Sequence, residues 1–204
     1  MQIGKRWVMA AILAATACTV GCEIDKHQSG DNKNVKISTP FGGVQVKSND
    51  DVVPGEIGLP LYPGATVVKK DNDNGSADVN MSFGSFQMRV KAASFRTADP
   101  PDKVEAFYRN GLRRYGDVIA CRNSKPVGTP LQTSDGLTCD DTKNKTIVIS
   151  SDSEKGDLHL KAGAREHQHV VDIHPDGGGT KFGLIALDLP GKLFSDSKDD
   201  AGRQ

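Results

Sequence analysis

The chain has 204 residues, of which 26 are basic and 26 are acidic, so its formal net charge at neutral pH is zero. This balance excludes nucleic-acid binding through a generally basic surface. Hydrophobic residues make up 36% of the chain and 22 residues are glycine, which favours turns and exposed strands over a large helical core.

The first 21 residues have the pattern of a secretory signal peptide. Lys5 and Arg6 give a positive start, and the apolar run from Trp7 to Ala17 is too short for a membrane-spanning helix, which needs roughly 20 residues. We therefore expect residues 1–21 to be removed. The mature chain would keep 24 basic and 26 acidic residues, a formal charge of −2.

A cysteine follows small residues at the expected cleavage point: Thr19, Val20, Gly21 and Cys22. This arrangement resembles the lipobox of bacterial lipoproteins, with Thr19 where that family usually has leucine; a second, weaker candidate ends at Cys18. The resemblance implies that Cys22 is acylated, becomes the first mature residue and anchors the chain in a lipid bilayer. By the same resemblance, Glu23 favours the outer membrane, with the domain in the periplasm or at the cell surface. Plain secretion and an uncleaved signal are the alternatives.

The segment after the signal is polar. Residues 22–34 carry charges of both signs without an apolar period, and we expect a disordered tether. Residues 35–56 are expected to form a β-hairpin and a linker, because Val35–Ser38 and Val44–Lys47 alternate around a turn that contains glycine. A lone hairpin is marginal in water, so this one is expected to pack on the main domain or on a partner.

The main α+β domain is expected over residues 57–190. Two prolines around two large apolar side chains predict an extended segment at Leu59–Gly64. A strand is expected over Ala65–Lys70, followed by a hairpin turn. Alternation from Ser76 to Phe95 then predicts two strands with a bulge or tight turn at Gly84.

The clearest helix signal begins at Asp99, which is expected to be the N-cap, with Pro100 as the first helical residue. Gly116 is the expected C-terminal stop. Apolar residues recur between them at helical spacing: Val104, Phe107, Tyr108, Leu112 and Tyr115. We expect this stripe to cover one face of a sheet.

Two motifs in this region resemble those of a group of uncharacterised bacterial secreted proteins and lipoproteins. The first is a Tyr-Pro-Gly-Ala motif that leads into a strand, and the second is a Thr-x-Asp helix start followed by Val-x-x-Phe-Tyr. The matching residues are Leu61, Tyr62, Pro63, Gly64, Ala65, Thr97, Asp99, Val104, Phe107, Tyr108 and Leu112. The likeness covers roughly Leu59 to Tyr115, and Gly111 departs from the group's helix. It implies a polar hairpin between the motifs, and no activity can be carried over from the group.

Two cysteines, Cys121 and Cys139, lie in the body of the chain. An isolated pair in an exported chain predicts a disulfide, because that compartment is oxidising. The rival interpretation is a redox or metal-binding pair, against which the spacing argues, since there is no C-x-x-C motif or second cysteine cluster.

The rest of the chain is predicted to form further strands and a flexible tail over residues 191–204. The predicted strands are Asp117–Arg122, Thr146–Ser150, Asp157–Lys161, His167–His174 and Thr180–Leu189, with a long glycine-rich loop at Pro175–Gly179. Together the elements predict an antiparallel sheet of about eight strands, including the N-terminal hairpin, with one main helix packed on one face.

Histidines are the best candidates for chemistry. His167 and His169 are two residues apart, so on a strand they share a face, and His159 on a neighbouring strand would supply a third ligand for a divalent metal. The alternative is that these are exposed polar positions, and no other cofactor is expected.

Three other motifs favour simpler interpretations. Gly177–Gly179 precede a strand instead of a helix, which favours a turn over a phosphate loop. There is no Gly-x-Ser-x-Gly motif for serine hydrolysis. Two acidic pairs favour solvated loops over calcium binding: Asp71 with Asp73, and Asp140 with Asp141.

These patterns favour a membrane-anchored, non-catalytic binding or envelope-assembly module over an enzyme. The expected partners are the bilayer, through Cys22, and an envelope protein, with no nucleic acid. One alternative is a small metal-dependent hydrolase that uses His159, His167 and His169. Another is a periplasmic carrier of a small apolar ligand, which requires a cavity under the helix near Phe107 and Tyr108.

Overall fold

The structure, a computed structural model, describes residues 23–29, 32–48, 54–68, 75–139 and 157–191. Within these ranges, eleven strands form one antiparallel sheet, and one main helix packs on it. The expected α+β class is confirmed, and the expected count of eight strands is too low. The strands are β1 (Glu23–Ser29), β2 (Asn32–Thr39), β3 (Gly42–Ser48), β4 (Thr66–Val67), β5 (Ser76–Phe83), β6 (Phe86–Thr97), β7 (Ile119–Arg122), β8 (Lys125–Pro126), β9 (Leu158–Gly163), β10 (His167–Asp176) and β11 (Gly179–Asp188). The helices are α1 (Pro54–Ile57) and α2 (Pro101–Leu112), and a 3-10 turn over Arg113–Tyr115 extends α2.

The strands do not follow chain order across the sheet. Neighbours lie in the order β1-β2-β3-β5-β6-β11-β10-β9-β7-β8, and β4 pairs with β6 off this path. The β10–β11 hairpin therefore lies between β6 and β9. The predicted hairpin of β2 and β3 is confirmed, and because β3 pairs with β5, this hairpin extends the sheet of the main domain.

The disordered tether expected over residues 22–34 is not what the structure has. Residues Glu23–Ser29 form β1, which pairs with β2 from Glu23 opposite Ser38 to Ser29 opposite Asn32. Strand formation here depends on the backbone ladder that β2 offers. The polar composition of a segment indicates how its side chains pack, but it says less about whether its backbone pairs with another strand. This strand could therefore not be predicted from its composition.

The main core lies between α2 and the sheet. Val104, Tyr108 and Leu112 are the buried residues of α2, and they pack against side chains of β9, β10 and β11. The sheet contributes mainly these residues: Ala93, Phe95, Leu158, Leu160, Val171, Ile173, Phe182 and Leu184. A second cluster faces away from α2, because its members alternate with these: Val90, Val170, Ile185 and Leu187, joined by Leu189.

The start of α2 differs from expectation. Pro100 is the N-cap and the helix begins at Pro101, without a side-chain capping bond. The Asp99 carboxylate instead accepts hydrogen bonds from the Tyr62 hydroxyl and the Lys103 ammonium, both at 2.9 Å. Two successive prolines lack backbone N–H groups, which moves the helix start one residue on and frees Asp99 for these partners. The predicted stop at Gly116 is confirmed, with φ at +117°.

The predicted disulfide is present. Cys121 and Cys139 are bonded with their Cα atoms 5.4 Å apart. They pack with Ile119 and Leu137 in a small buried cluster. Cys121 and Ile119 alternate with Ala120, which belongs to the main core, so the disulfide covers the face away from α2.

Two turns were predicted with different success. The tight turn near Gly84 is confirmed, since Phe83 pairs with Phe86 around two residues. The loop expected over Pro175–Gly179 is shorter than predicted, because Asp176 pairs with Gly179. Gly177 and Gly178 both have positive φ, 54° and 98°, as a two-residue hairpin turn requires.

Several predictions fall on residues that the structure does not describe. They are the signal peptide with Cys22, the acidic pairs Asp71 with Asp73 and Asp140 with Asp141, the end of the strand expected over Ala65–Lys70, the strand Thr146–Ser150 and the tail beyond Gly191. They remain predictions.

Candidate functional site

The N-terminal half of the sheet has two unlike faces. Cross-strand pairing aligns two apolar rows on one face: Ile37, Val44, Met81 and Met88, and beside them Val35, Val46, Val79 and Val90. We call these eight residues the apolar face. Val90 pairs with Leu187 of β11, so the apolar face continues into the buried cluster on the side away from α2.

The opposite face of the same strands is polar. Lys36, Gln45, Asn80 and Arg89 align directly across β2, β3, β5 and β6. A shallow depression of about 330 Å³ opens on this side, and Lys36, Gln45 and Asn80 contribute to its lining. The same four strands therefore have one polar and one apolar face. Adjacent residues of a strand lie on opposite faces, as Gln45 and Val46 do.

Two hairpin tips lie side by side at one end of these strands. We define the tips as Thr39–Gly43 and Ser82–Gln87. The Gly84 N–H donates a hydrogen bond to the Phe41 carbonyl at 3.1 Å, and Gly42 pairs with Phe83. Gly42 allows this approach, since a Cβ there would lie 2.0 Å from the Ser82 carbonyl oxygen.

The three histidines of the expected metal site do not come together. His159 pairs across the strands with Asp172, and both side chains lie on the face away from α2. Odd-numbered side chains of β10 lie on the opposite face of the sheet from Asp172. His167 and His169 therefore lie on the same side of the sheet as α2. Within the described ranges, no group of three or more His, Cys, Asp or Glu residues is arranged to hold a metal ion. The register places His159 on the opposite face of the sheet from His167 and His169, so the described residues do not bring the expected set together.

Each of these histidines has its own local partner. His167 is 71% exposed, and its Nδ1 lies 2.9 Å from Asp188. His169 is half-buried and stacks on Tyr115, with ring centroids 3.6 Å apart. Burial, and then the nearby charge of Arg114, lower the pKa of His169. The neutral imidazole is thus favoured in the folded protein.

The Tyr115 ring belongs to a polar junction between α2 and the segment after α1. The Gly58 carbonyl accepts hydrogen bonds from Arg114 and from the Tyr115 hydroxyl, each at 2.5 Å. Gly58 has φ at +81°, and a Cβ there would lie 2.5 Å from the Tyr115 oxygen. The junction therefore leaves no room for a side chain at position 58. The position of His169 is explained by its packing on the Tyr115 ring at this junction.

Sequence reasoning missed a pair of histidine–aspartate contacts on the other face. His159 Nδ1 lies 2.5 Å from Asp172, and His174 Nδ1 lies 2.8 Å from Asp157. Both aspartates are buried. A carboxylate on Nδ1 fixes the ring and leaves Nε2 for another partner. The signal was available in the sequence, because Asp-x-His occurs at both 157–159 and 172–174.

The space under α2 that a carrier would need is occupied by aromatic rings. Tyr108 is fully buried, and its ring centroid lies 5.4 Å from that of Phe182 and 5.0 Å from that of Phe107. Tyr62 closes the group at 5.1 Å from Phe107. Burial raises the pKa of Tyr108, so the phenol stays neutral. At this position the structure has packed core where the carrier alternative requires a cavity.

None of the helices in the described part of the chain is long and apolar enough to cross a membrane. Comparison of the chain with protein-family models, with curated proteins and with solved structures finds no match in any of the three.

Proposed function

We propose that this protein is a lipid-anchored module of the bacterial envelope that binds an envelope protein without catalysis. The anchor is the acylated Cys22, and Glu23 favours the outer membrane as its location. The observation that carries the binding role is the apolar face. It is a contiguous set of apolar side chains on four strands, on the side of the sheet away from α2, of which seven are half-buried and Val90 is buried. Contiguous apolar surface of this kind is typical of protein-binding sites.

The free edge of the sheet supports the same role. Among the described strands, β1 pairs only with β2, so its outer edge offers backbone N–H and C=O groups to a partner strand. Addition of a strand at such an edge is a common mode of recognition. A partner that adds a strand to β1 would continue the row of Ile37 and Val44 through Ile24, which is exposed and pairs with Ile37.

The two alternatives lose their support in the described residues. The hydrolase requires His159 beside His167 and His169, and the register places it on the other face. The carrier requires a cavity near Tyr108, where aromatic rings pack. We therefore propose neither of them.

Site-specific photocrosslinking in living cells tests the binding role. Benzoylphenylalanine is introduced at Val46 of the apolar face, and at Gln45, the adjacent residue on the polar face, as the matched control. We expect a crosslinked product with one envelope protein from position 46 and none with that protein from position 45. Equal products from both positions, or no product from position 46 in a folded and acylated protein, would contradict the proposal.

A further inference from the structure

The first mature residues lie at the same end of the sheet as the two hairpin tips. Glu23 pairs with Ser38, the residue directly before the first tip. Cys22 directly precedes Glu23 in the sequence, so an acyl group on Cys22 would be attached next to the first residue of β1. With β1 beginning at Glu23, no tether separates the proposed lipid anchor from the folded domain. The tips must then lie close to the bilayer surface.

The tips have the composition of a membrane-contacting surface. Their eleven residues contain three phenylalanines and no charged residue, whereas 25% of the whole chain is charged. Phe41 is 82% exposed and Phe83 is 43% exposed. A single exposed apolar side chain is ordinary. Two exposed phenyl rings on adjacent uncharged turns, next to a lipid attachment point, are apolar side chains of the kind that surface-bound proteins bury at the boundary between headgroups and acyl chains.

The tips are also held in a fixed shape. The Thr39 hydroxyl donates to the Gly42 carbonyl at 2.8 Å and accepts from the Phe41 N–H at 3.3 Å. The hydrogen bond from Gly84 to Phe41 joins the two turns. A contact that is already ordered loses little conformational entropy when it meets a partner.

From these observations we propose that the two tips form a second membrane contact, which inserts Phe41 and Phe83 into the bilayer interface beside Cys22. The proposal rests on the lipid anchor proposed above. Acyl chains hold a protein at the bilayer surface. A second contact beside the attachment point would also fix the orientation of the domain. The strands of β2 and β3 then run away from the bilayer, and the apolar face is presented sideways to a partner in the envelope.

Tryptophan fluorescence provides the test, because the only tryptophan of the chain, Trp7, lies in the signal peptide. The full protein with Trp7→Phe is purified from a bacterial host and reconstituted into vesicles of phosphatidylethanolamine and phosphatidylglycerol, with or without brominated acyl chains. Phe41→Trp and Phe83→Trp report on the tips. Ala106→Trp, at an exposed position of α2, is the matched control.

We expect brominated lipids to quench the Phe41→Trp and Phe83→Trp emission about twofold or more and to leave the Ala106→Trp emission unchanged. Acylation of Cys22 is measured on the same samples by intact mass. An acylated protein without quenching at either tip overturns the tip contact and leaves the anchor standing. Quenching at the tips of a non-acylated protein supports the tip contact and overturns the anchor. Equal quenching at Ala106→Trp overturns the proposed orientation.

Discussion

The Tyr62 hydroxyl donates a hydrogen bond of 2.9 Å to the Asp99 carboxylate, and this contact joins the extended segment before β4 to the start of α2. Lys103, one turn into the helix, donates to the other oxygen of the same carboxylate. Both contacts favour the ionised acid: the hydrogen bond from Lys103 and then that from Tyr62 lower the pKa of Asp99 below its ordinary value of 3.8. The residue expected to cap the helix thus joins two elements of the core.

Tyr62→Phe removes this contact and keeps the buried ring. We expect the free energy of unfolding at pH 7 to fall by about 1 kcal/mol. Because the pKa of Asp99 is lowered in the folded protein, the ionised carboxylate stabilises the fold above 3.8 and loses that effect as the pH falls through the folded pKa. Urea unfolding at pH 7 and pH 3 should show a smaller difference between the two proteins at pH 3. An equal difference at both values would contradict the role of the carboxylate.

Gly111→Ala should stabilise the protein by roughly 0.5 to 1 kcal/mol, because alanine is the better helix former. The added Cβ would meet Pro60 at 3.5 Å, an ordinary van der Waals contact. Gly58→Ala is the matched control and should destabilise the protein, since Gly58 has positive φ and its Cβ would clash with Tyr115. Thermal unfolding of both variants checks the prediction, and a loss of stability in Gly111→Ala would contradict it.

Replacing both disulfide cysteines with serine should lower the free energy of unfolding by about 3 kcal/mol, in the chain-entropy description of a loop of this length. The cysteines are buried with Ile119 and Leu137, so the packing of that cluster is weakened as well. Denaturant unfolding of the variant, compared with that of the oxidised wild type, measures the effect, and the wild type under reducing conditions should resemble the variant. A wild type that is unaffected by reductant after its thiols are confirmed free would show that the bond has no stabilising role.

His169→Phe should flatten the pH dependence of stability below pH 6.5. The pKa of His169 is lowered in the folded protein. As the pH falls from 6.5 towards the folded pKa, this histidine therefore becomes protonated in the unfolded chain before it does so in the folded one. Stability of the wild type therefore falls over this range. Phenylalanine retains the stacking on Tyr115 and does not titrate. A variant that keeps the wild-type pH dependence would contradict this role of His169.

Cys22→Ala tests the anchor directly. We expect the wild type from a bacterial host to begin at Cys22 and to carry an added acyl mass in the membrane fraction. The variant should lose both the mass and the membrane association, because the thiol that we propose is acylated has been removed. Intact mass spectrometry and cell fractionation provide the measurement. A soluble wild type that begins at another residue would exclude the anchor.

Local patterns predicted those parts of the fold that they determine by themselves. The alternation of β2 with β3, the apolar stripe of α2 and the isolated pair of Cys121 and Cys139 each led to the observed structure. β1 was missed because its pairing is supplied by β2 and not by its own composition. The two-residue β8 is too short to show any period.

The candidate site was harder to predict, because faces depend on register. A shift of one residue moves a side chain to the other side of a sheet. Pairing His159 with Asp172, and not with an odd-numbered neighbour on β10, is what separated the expected metal ligands. The tips were predicted as turns, and their position beside Glu23 emerged only once β1 was known to be a strand.

The position of β10 and β11 in the sheet has a consequence for how the chain assembles. These strands come last in the described sequence, and yet they connect the half that contains β6 to the half that contains β9. Phe95 of β6 and Leu160 of β9 belong to the same core. They become part of one packed cluster only when Phe182 of β11 and Val171 of β10 lie between them. A chain that emerges from its N-terminus cannot complete this core until these last described strands are available. The sheet therefore depends on pairings between residues that are far apart in sequence, and such pairings slow folding.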